Sequence, residues 1–261
     1  MAEVAWNLFI SFFANPTAWG IGIALIFGAI WLVAFAPPLR RLKLRIPLHI
    51  ASLVSVFITS AILTAAAIAF IQYPLQTWAN QAVAHLFGME AFQGYSMLAA
   101  LVPYILLTGL VQEGAKLLAP LVYFRLRRPS DTRTALAIGA IAGAGFGIFE
   151  AQWVLNSVFT LGWNWSWVEA FGFQAIFGFW ERFFAIAFHT AATAIAAYGL
   201  FTGRGWQFYL LVAFLHALLN YGAVLWQGQL LTPLQLEIYI TVVALSVAGA
   251  ALWLRWRPQK E

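Results

Sequence analysis

The chain has no cysteine. A disulfide framework, a zinc ribbon and a cysteine nucleophile are therefore excluded. Charge is also scarce. Only 9% of residues are Asp, Glu, Lys or Arg, against about 25% in soluble domains. A third absence is positional: one side of the chain's apolar segments carries no Lys or Arg in its loops. What is present in abundance is apolar surface. Hydrophobic types make up 63% of the 261 residues, in windows of about 20 residues that each match the apolar thickness of a bilayer. The chain reads as an integral membrane protein. The opening MAEVAWN puts no basic residue ahead of an apolar run, which argues against a cleaved signal peptide. There is no internal repeat, low-complexity tract or soluble segment, so residues 1–261 read as a single membrane domain.

Seven apolar windows lie near residues 17–36, 48–72, 95–124, 134–158, 175–202, 207–228 and 236–254. The expected fold class is all-α, a polytopic transmembrane helix bundle of about seven spans. Twelve of the fourteen Lys and Arg then fall on one side: Arg40, Arg41, Lys43, Arg45, Arg125, Arg127, Arg128, Arg133, Arg204, Arg255, Arg257 and Lys260. The positive-inside rule places that side in the cytoplasm, with the N-terminus outside and the C-terminus cytoplasmic. The net charge of +5 is then topological. It favours anionic lipid and gives no reason to invoke nucleic acid. The opposite loops, 73–94 and 159–174, hold Trp78, His85 and Glu90, then Trp163, Trp165, Trp167 and Glu169. They read as an interfacial aromatic belt or, alternatively, as a lid over a cavity. Residues 3–14 are too short to span and read as an interfacial segment.

The remaining two cations, Lys116 and Arg182, lie inside apolar windows, together with several other polar groups. An ionisable residue at a helix centre costs about 2.5–3.5 kcal/mol on insertion scales, so each needs a reason. At a rise of about 1.5 Å per residue, Glu113, Lys116, Glu150, His189, His216 and Asn220 share one slab around mid-bilayer. Glu181 and Arg182 sit nearer the outer side. Glu113 and Lys116 are three apart and can pair on one face. Pro120 leaves the Lys116 carbonyl without its helical donor. Gly139, Gly143 and Gly147 recur every four residues, a flat stripe for close helix contact, and Glu150 falls near that stripe. Arg182 and His189 are nearly eclipsed, whereas Glu181 and Arg182 diverge. His216 and Asn220 stand one turn apart on one face. Each group alone is compatible with a buried ion pair or an interhelical hydrogen bond. Four successive helices carrying such groups point to a built site.

In order, these segments read QEGAK at 112–116, GAGFGIFEA at 143–151, FHTAATAIAAYG at 188–199 and HALLN at 216–220. That order resembles the glutamic intramembrane protease superfamily, which includes PrsW-type, YhfC-type and CAAX prenyl protease-type members and a noncatalytic gamma-secretase subunit. The resemblance covers about residues 95–225 and leans towards the PrsW and YhfC branches. It implies an intramembrane endopeptidase in a prokaryotic cytoplasmic membrane, cleaving a membrane-embedded or lipid-anchored protein by Glu/His-activated water. The implied catalytic residues are Glu113, Glu150, His189, His216 and Asn220, with Gln112, Lys116, Glu181 and Arg182 in support. Glu113 or Glu150, with His189, would deprotonate the water, and His216 and Asn220 would hold the oxyanion. One departure stands out. The PrsW-like first motif is usually EExxK, and Gln112 occupies its first position. Glutamine cannot accept a proton at neutral pH.

Three other expectations compete. Zinc could be held by His189, His216 and one glutamate with an open position, although no HExxH is present. A noncatalytic scaffold of the same superfamily is favoured by Gln112. A proton-coupled transporter would use buried Glu and His as a relay, but predicts inverted repeats.

Overall fold

The computed structural model describes residues 1–35, 46–127 and 129–257, with residues 46–50 described by backbone alone. Arg40, Arg41, Lys43, Arg45, Arg128 and Lys260 lie outside the described residues. Eleven α-helices follow in chain order among the described residues. They are α1 (Ala2–Ser11), α2 (Ala18–Phe35), α3 (Ile46–Ala67), α4 (Tyr73–Phe87), α5 (Ser96–Ala100), α6 (Val102–Leu126), α7 (Thr132–Thr160), α8 (Trp165–Phe171), α9 (Phe177–Phe201), α10 (Gly205–Gln227) and α11 (Pro233–Trp256). No strand occurs among them. Seven helical stretches are long and apolar enough to cross a membrane. The chain is an all-α, multi-pass membrane protein.

Helices α7 and α9 form the centre. Their most apolar windows are 72% and 78% buried, whereas those of the other five are 22–39% buried. Their closeness follows from small residues. A Cβ on Gly143 would meet the carbonyl oxygen of His189, and one on Gly139 would meet that of Thr193. Thr193, Ala194 and Ala197 of α9 meet Gly139, within a stretch of small residues, Ala191 to Ala194 with Ala196 and Ala197, that is buried throughout. Backbone therefore packs on backbone, the usual way lipid-embedded helices gain van der Waals contact. Around this pair stand α2, α3, α10 and α11. Helix α6 closes the bundle against α3 and α10, where a Cβ on Gly109 would meet the carbonyl of Ala213.

Two boundaries differ from the sequence reading. The second span does not stop at residue 72. Backbone bonds widen to a π-turn at Ile68–Gln72 and continue into α4. Pro74 sits in the first turn of α4, where its missing N–H costs little. The segment expected as a loop at 73–94 is thus helical to Phe87. The segment at 159–174 contains α8, started by Asn164 accepting from the Ser166 N–H. Residues 3–14 are helical over α1. The Phe12 ring packs on Phe149 and Trp153 of α7, and Trp6 and Phe9 pack on Phe70.

At the end where α6 stops and α7 begins, Asp131 caps α7 by accepting from the Thr134 N–H at 2.8 Å. Arginines hold the same end together through acceptors other than carboxylates. Arg133 donates to the Arg257 carbonyl, Arg255 to the Phe35 carbonyl and Arg257 to the Tyr198 hydroxyl.

Candidate active site

Helices α6, α7, α9 and α10 deliver polar side chains to one network. Glu113 and Lys116, three apart on α6, form an ion pair at 2.6 Å with both side chains fully shielded. From α10, His216 Nδ1 lies 2.7 Å from the same Glu113 oxygen, Oε1. From α9, His189 Nδ1 lies 2.8 Å from the Lys116 Nζ. The other nitrogen of His189, Nε2, lies 3.1 Å from Oε2 of Glu150 on α7. Arg182 bonds that same Glu150 oxygen at 3.2 Å and also Glu181. Glu113, Lys116, His189, His216, Glu150, Arg182 and Glu181 are therefore one connected network. Phe146 and Phe188 wall it: Phe146 stands edge-on to His189 and near the Lys116 ammonium, and Phe188 edge-on to His216. Removing one member of a buried ion pair typically costs about 3–5 kcal/mol, so this network also locks the four helices in register.

The partners dictate the protons. An ammonium only donates, so His189 Nδ1 accepts from Lys116 and the ring proton sits on Nε2, donating to Glu150. Both nitrogens of His189 are thereby used. A carboxylate only accepts, so His216 Nδ1 carries its proton toward Glu113. His216 Nε2 makes no hydrogen bond among the described residues. Glu113 Oε2 is buried and has no partner either. Two acceptors of one Glu–His pair are thus left free for a ligand.

Asn220 is not joined to this set. It is half-buried, one turn beyond His216 on α10, and makes no hydrogen bond among the described residues. Gln112 belongs to a different construction. Its Nε2 donates to Gln72 Oε1 at 3.1 Å, Gln72 Nε2 to Gln76 Oε1 at 3.3 Å, and Gln76 Nε2 to Thr108 Oγ1 and the Tyr104 carbonyl. All four side chains are buried. The backbone carbonyl at the far end can only accept, so it fixes the direction of the whole amide chain. Gln112 Oε1, at the near end, is left without a donor.

Sequence reading missed Gln72, Gln76 and Glu237. The glutamines gave a weak signal, because they bear no charge: Gln72 ended the second window, and Gln76 fell beyond Pro74 in a segment read as loop. Glu237, on α11, is 6% exposed with Oε2 unpartnered, and lies within electrostatic reach of Glu181 and Arg182. It stood one residue inside the last apolar window, at its edge.

Glu113, His189 and His216 can present one ligand atom each within 4.8 Å of one another, a spacing that a metal ion could use. Between Glu113 Oε1 and His189 Nδ1, however, stands the Lys116 ammonium, bonded to both. The set as folded already holds a cation.

Comparison of the chain with protein-family models, with curated proteins and with solved structures finds no match.

Proposed function

We propose that this protein is an intramembrane endopeptidase that hydrolyses a membrane-embedded or lipid-anchored protein. The reading places it in a prokaryotic cytoplasmic membrane, N-terminus outside, as a divergent member of the glutamic intramembrane protease superfamily that its motifs resemble. The observation that carries it is the pair Glu113–His216, which has a bonded side and a free side. On the bonded side, Glu113 Oε1 accepts from Lys116 and from His216 Nδ1. On the free side, His216 Nε2 remains to accept one proton of a water, and Glu113 Oε2 remains an unpartnered acceptor. Such a water keeps a lone pair for a peptide carbonyl.

His216 Nε2 is the general base in this scheme. Glu113 holds its tautomer and stabilises the imidazolium that forms, as a carboxylate does in any carboxylate–imidazole dyad. The attacking oxygen bonds the carbonyl carbon and the π electrons move to the carbonyl oxygen. The Asn220 amide, one turn along α10, is the donor placed to meet that oxyanion. The imidazolium then returns its proton to the leaving nitrogen as the C–N bond breaks. Glu150, tied to Arg182, orients His189 and is not the base. His189, with both nitrogens engaged, positions Lys116.

A noncatalytic scaffold is the second reading, favoured by closure. Glu113, Lys116, His189 and His216 are each at most 2% exposed, so a substrate must open the helices to reach them. The experiment is cleavage of single-span and lipidated peptides by purified protein in liposomes, comparing wild type with His216→Ala and Glu113→Gln. Cleavage abolished by His216→Ala and strongly reduced by Glu113→Gln supports the dyad. Cleavage that survives His216→Ala overturns it. A folded wild type that cleaves none of the peptides favours the scaffold.

A further inference from the structure

At the arginine-bearing end of the bundle a cavity of about 520 Å³ opens between the last turns of α6 and α9. It is lined by Leu121, Phe124, Arg125, Pro129, Leu200 and Phe201. Its volume lies within the roughly 300–1,000 Å³ of sites that hold small ligands. Among the described residues, five of the six that line it are apolar. The sixth, Arg125, is exposed and has no hydrogen-bond or ion-pair partner among the described residues. A charged head beside an apolar pocket at a helix end is the pattern of an amphiphile site.

The surroundings fix the sign of the amphiphile. Arg125, Arg127, Arg133, Arg204, Arg255 and Arg257 all lie at this end, and Asp131 is its single acid among the described residues. Asp131 is already engaged: it accepts from the Thr134 N–H, the Ser130 hydroxyl and the Thr134 hydroxyl. Arg133, Arg255 and Arg257 spend donors on carbonyl or hydroxyl oxygens, and Asp131, within electrostatic reach of Arg255, is one negative charge against six positive ones. Basic pockets between spans at this level recognise lipid phosphate, and a guanidinium offers a fork that matches it.

We propose that this cavity is a binding site for one anionic phospholipid of the surrounding bilayer, its phosphate on Arg125 and an acyl chain between Leu121, Phe124, Leu200 and Phe201. The site is separate from the Glu113–His216 centre. Because α6 carries both Glu113 and Arg125, and α9 carries both His189 and Leu200, the lipid braces the two helices that shape that centre. The proposal does not depend on whether the protein is a protease.

The test is native mass spectrometry of the purified full chain from micelles doped with phosphatidylglycerol or with phosphatidylcholine of the same chains. The variants are Arg125→Gln, which removes the phosphate contact, and Leu200→Trp, which fills the pocket. The control is Arg204→Gln, which removes the same charge from the same end without lining the cavity. Wild type is expected to retain one phosphatidylglycerol and at least tenfold less phosphatidylcholine. Arg125→Gln and Leu200→Trp should each lower retention at least fivefold, and Arg204→Gln by less than twofold. Equal retention of the two lipids overturns the proposal. So does full retention in Arg125→Gln, or loss in Arg204→Gln as large as in Arg125→Gln, which would mean diffuse attraction to the basic end. If Leu200→Trp fails to fold, Arg125→Gln still decides, because an exposed guanidinium is not needed for packing.

Discussion

His216 Nδ1 stands 2.7 Å from the one oxygen of Glu113 that also holds the Lys116 ammonium at 2.6 Å. A single carboxylate oxygen thus serves both an ion pair and an imidazole, so the two functions of Glu113 separate on mutation. Glu113→Gln leaves Lys116 as an uncompensated buried cation, and the expected destabilisation is about 3–5 kcal/mol. Adding Lys116→Met should restore most of it, because the charge goes with its partner. His216→Gln should cost much less stability. In cleavage of a single-span peptide, both Glu113→Gln/Lys116→Met and His216→Gln should fall by about 10²–10⁴-fold, the range of a lost acid–base group. Denaturant titrations in micelles together with peptide cleavage check both halves. A double variant as unstable as Glu113→Gln would contradict the pairing.

Metal dependence is decided by Lys116. Its ammonium bonds Glu113 Oε1 and His189 Nδ1, one atom on each of two of the three residues whose ligand atoms lie within 4.8 Å of one another. Activity and melting temperature are expected to be unchanged by a strong chelator. Lys116→Met is expected to bind zinc more tightly than wild type, because it removes the ammonium from those two atoms. Elemental analysis finding one zinc per wild-type chain, lost with activity on chelation, would reverse this.

The same contacts show how far the sequence reached. The Glu113–Lys116 pair was legible because it is local, two residues three apart on one helix. The approach of Glu150 to α9 was legible from the Gly139–Gly143–Gly147 stripe, since small residues announce the face that packs. The pairing of His216 with Glu113 spans 103 positions, and no periodicity encodes which of two buried glutamates a histidine will meet. Asn220 stands one turn from His216 on α10, as helical spacing gave it, without a hydrogen bond among the described residues. The glutamine chain was hidden for another reason. Pro74 reads as a break, yet a proline in the first turn of α4 lets a helix begin, and the π-turn before it carries Gln72 into the interior.

That amide chain makes a prediction about position 112. Gln112 donates to Gln72 Oε1, and the direction is imposed from the far end by the Tyr104 carbonyl. A carboxylate at 112 would face Gln72 Oε1 with an acceptor. Flipping the Gln72 amide to relieve that would break its bond to Gln76. Gln112→Glu is therefore expected to destabilise the fold by about 1–3 kcal/mol, the cost of an unsatisfied buried polar group. Gln72→Leu should cost a similar amount, because it strands both Gln112 Nε2 and Gln76 Oε1. In Gln72→Leu the carboxylate at 112 no longer opposes an acceptor, so the two substitutions should be less than additive. A stabilising Gln112→Glu would show that the amides are oriented the other way.

Acid sensitivity should enter through Asp131, outside the spans. Partial burial works to raise the pKa of its carboxyl, but bonds from the Thr134 N–H, the Ser130 hydroxyl and the Thr134 hydroxyl outweigh that. They hold it below the ordinary aspartate value of 3.8. A carboxyl whose folded-state pKa is depressed stabilises the fold above its unfolded pKa. That contribution is lost as pH falls from about 3.8 through the lowered folded value. Asp131→Ala removes the cap of α7 and should cost about 0.5–2 kcal/mol at neutral pH. The variant and wild type should converge below that window, where the wild-type carboxyl is protonated too. Asp131→Asn, a good cap without a charge, should keep most of the neutral-pH stability and lose the pH dependence. Unfolding midpoints of the three proteins from pH 7 to pH 2.5 check this, and a gap between wild type and Asp131→Ala that persists undiminished at the lowest pH would show that the carboxylate charge contributes nothing at this cap.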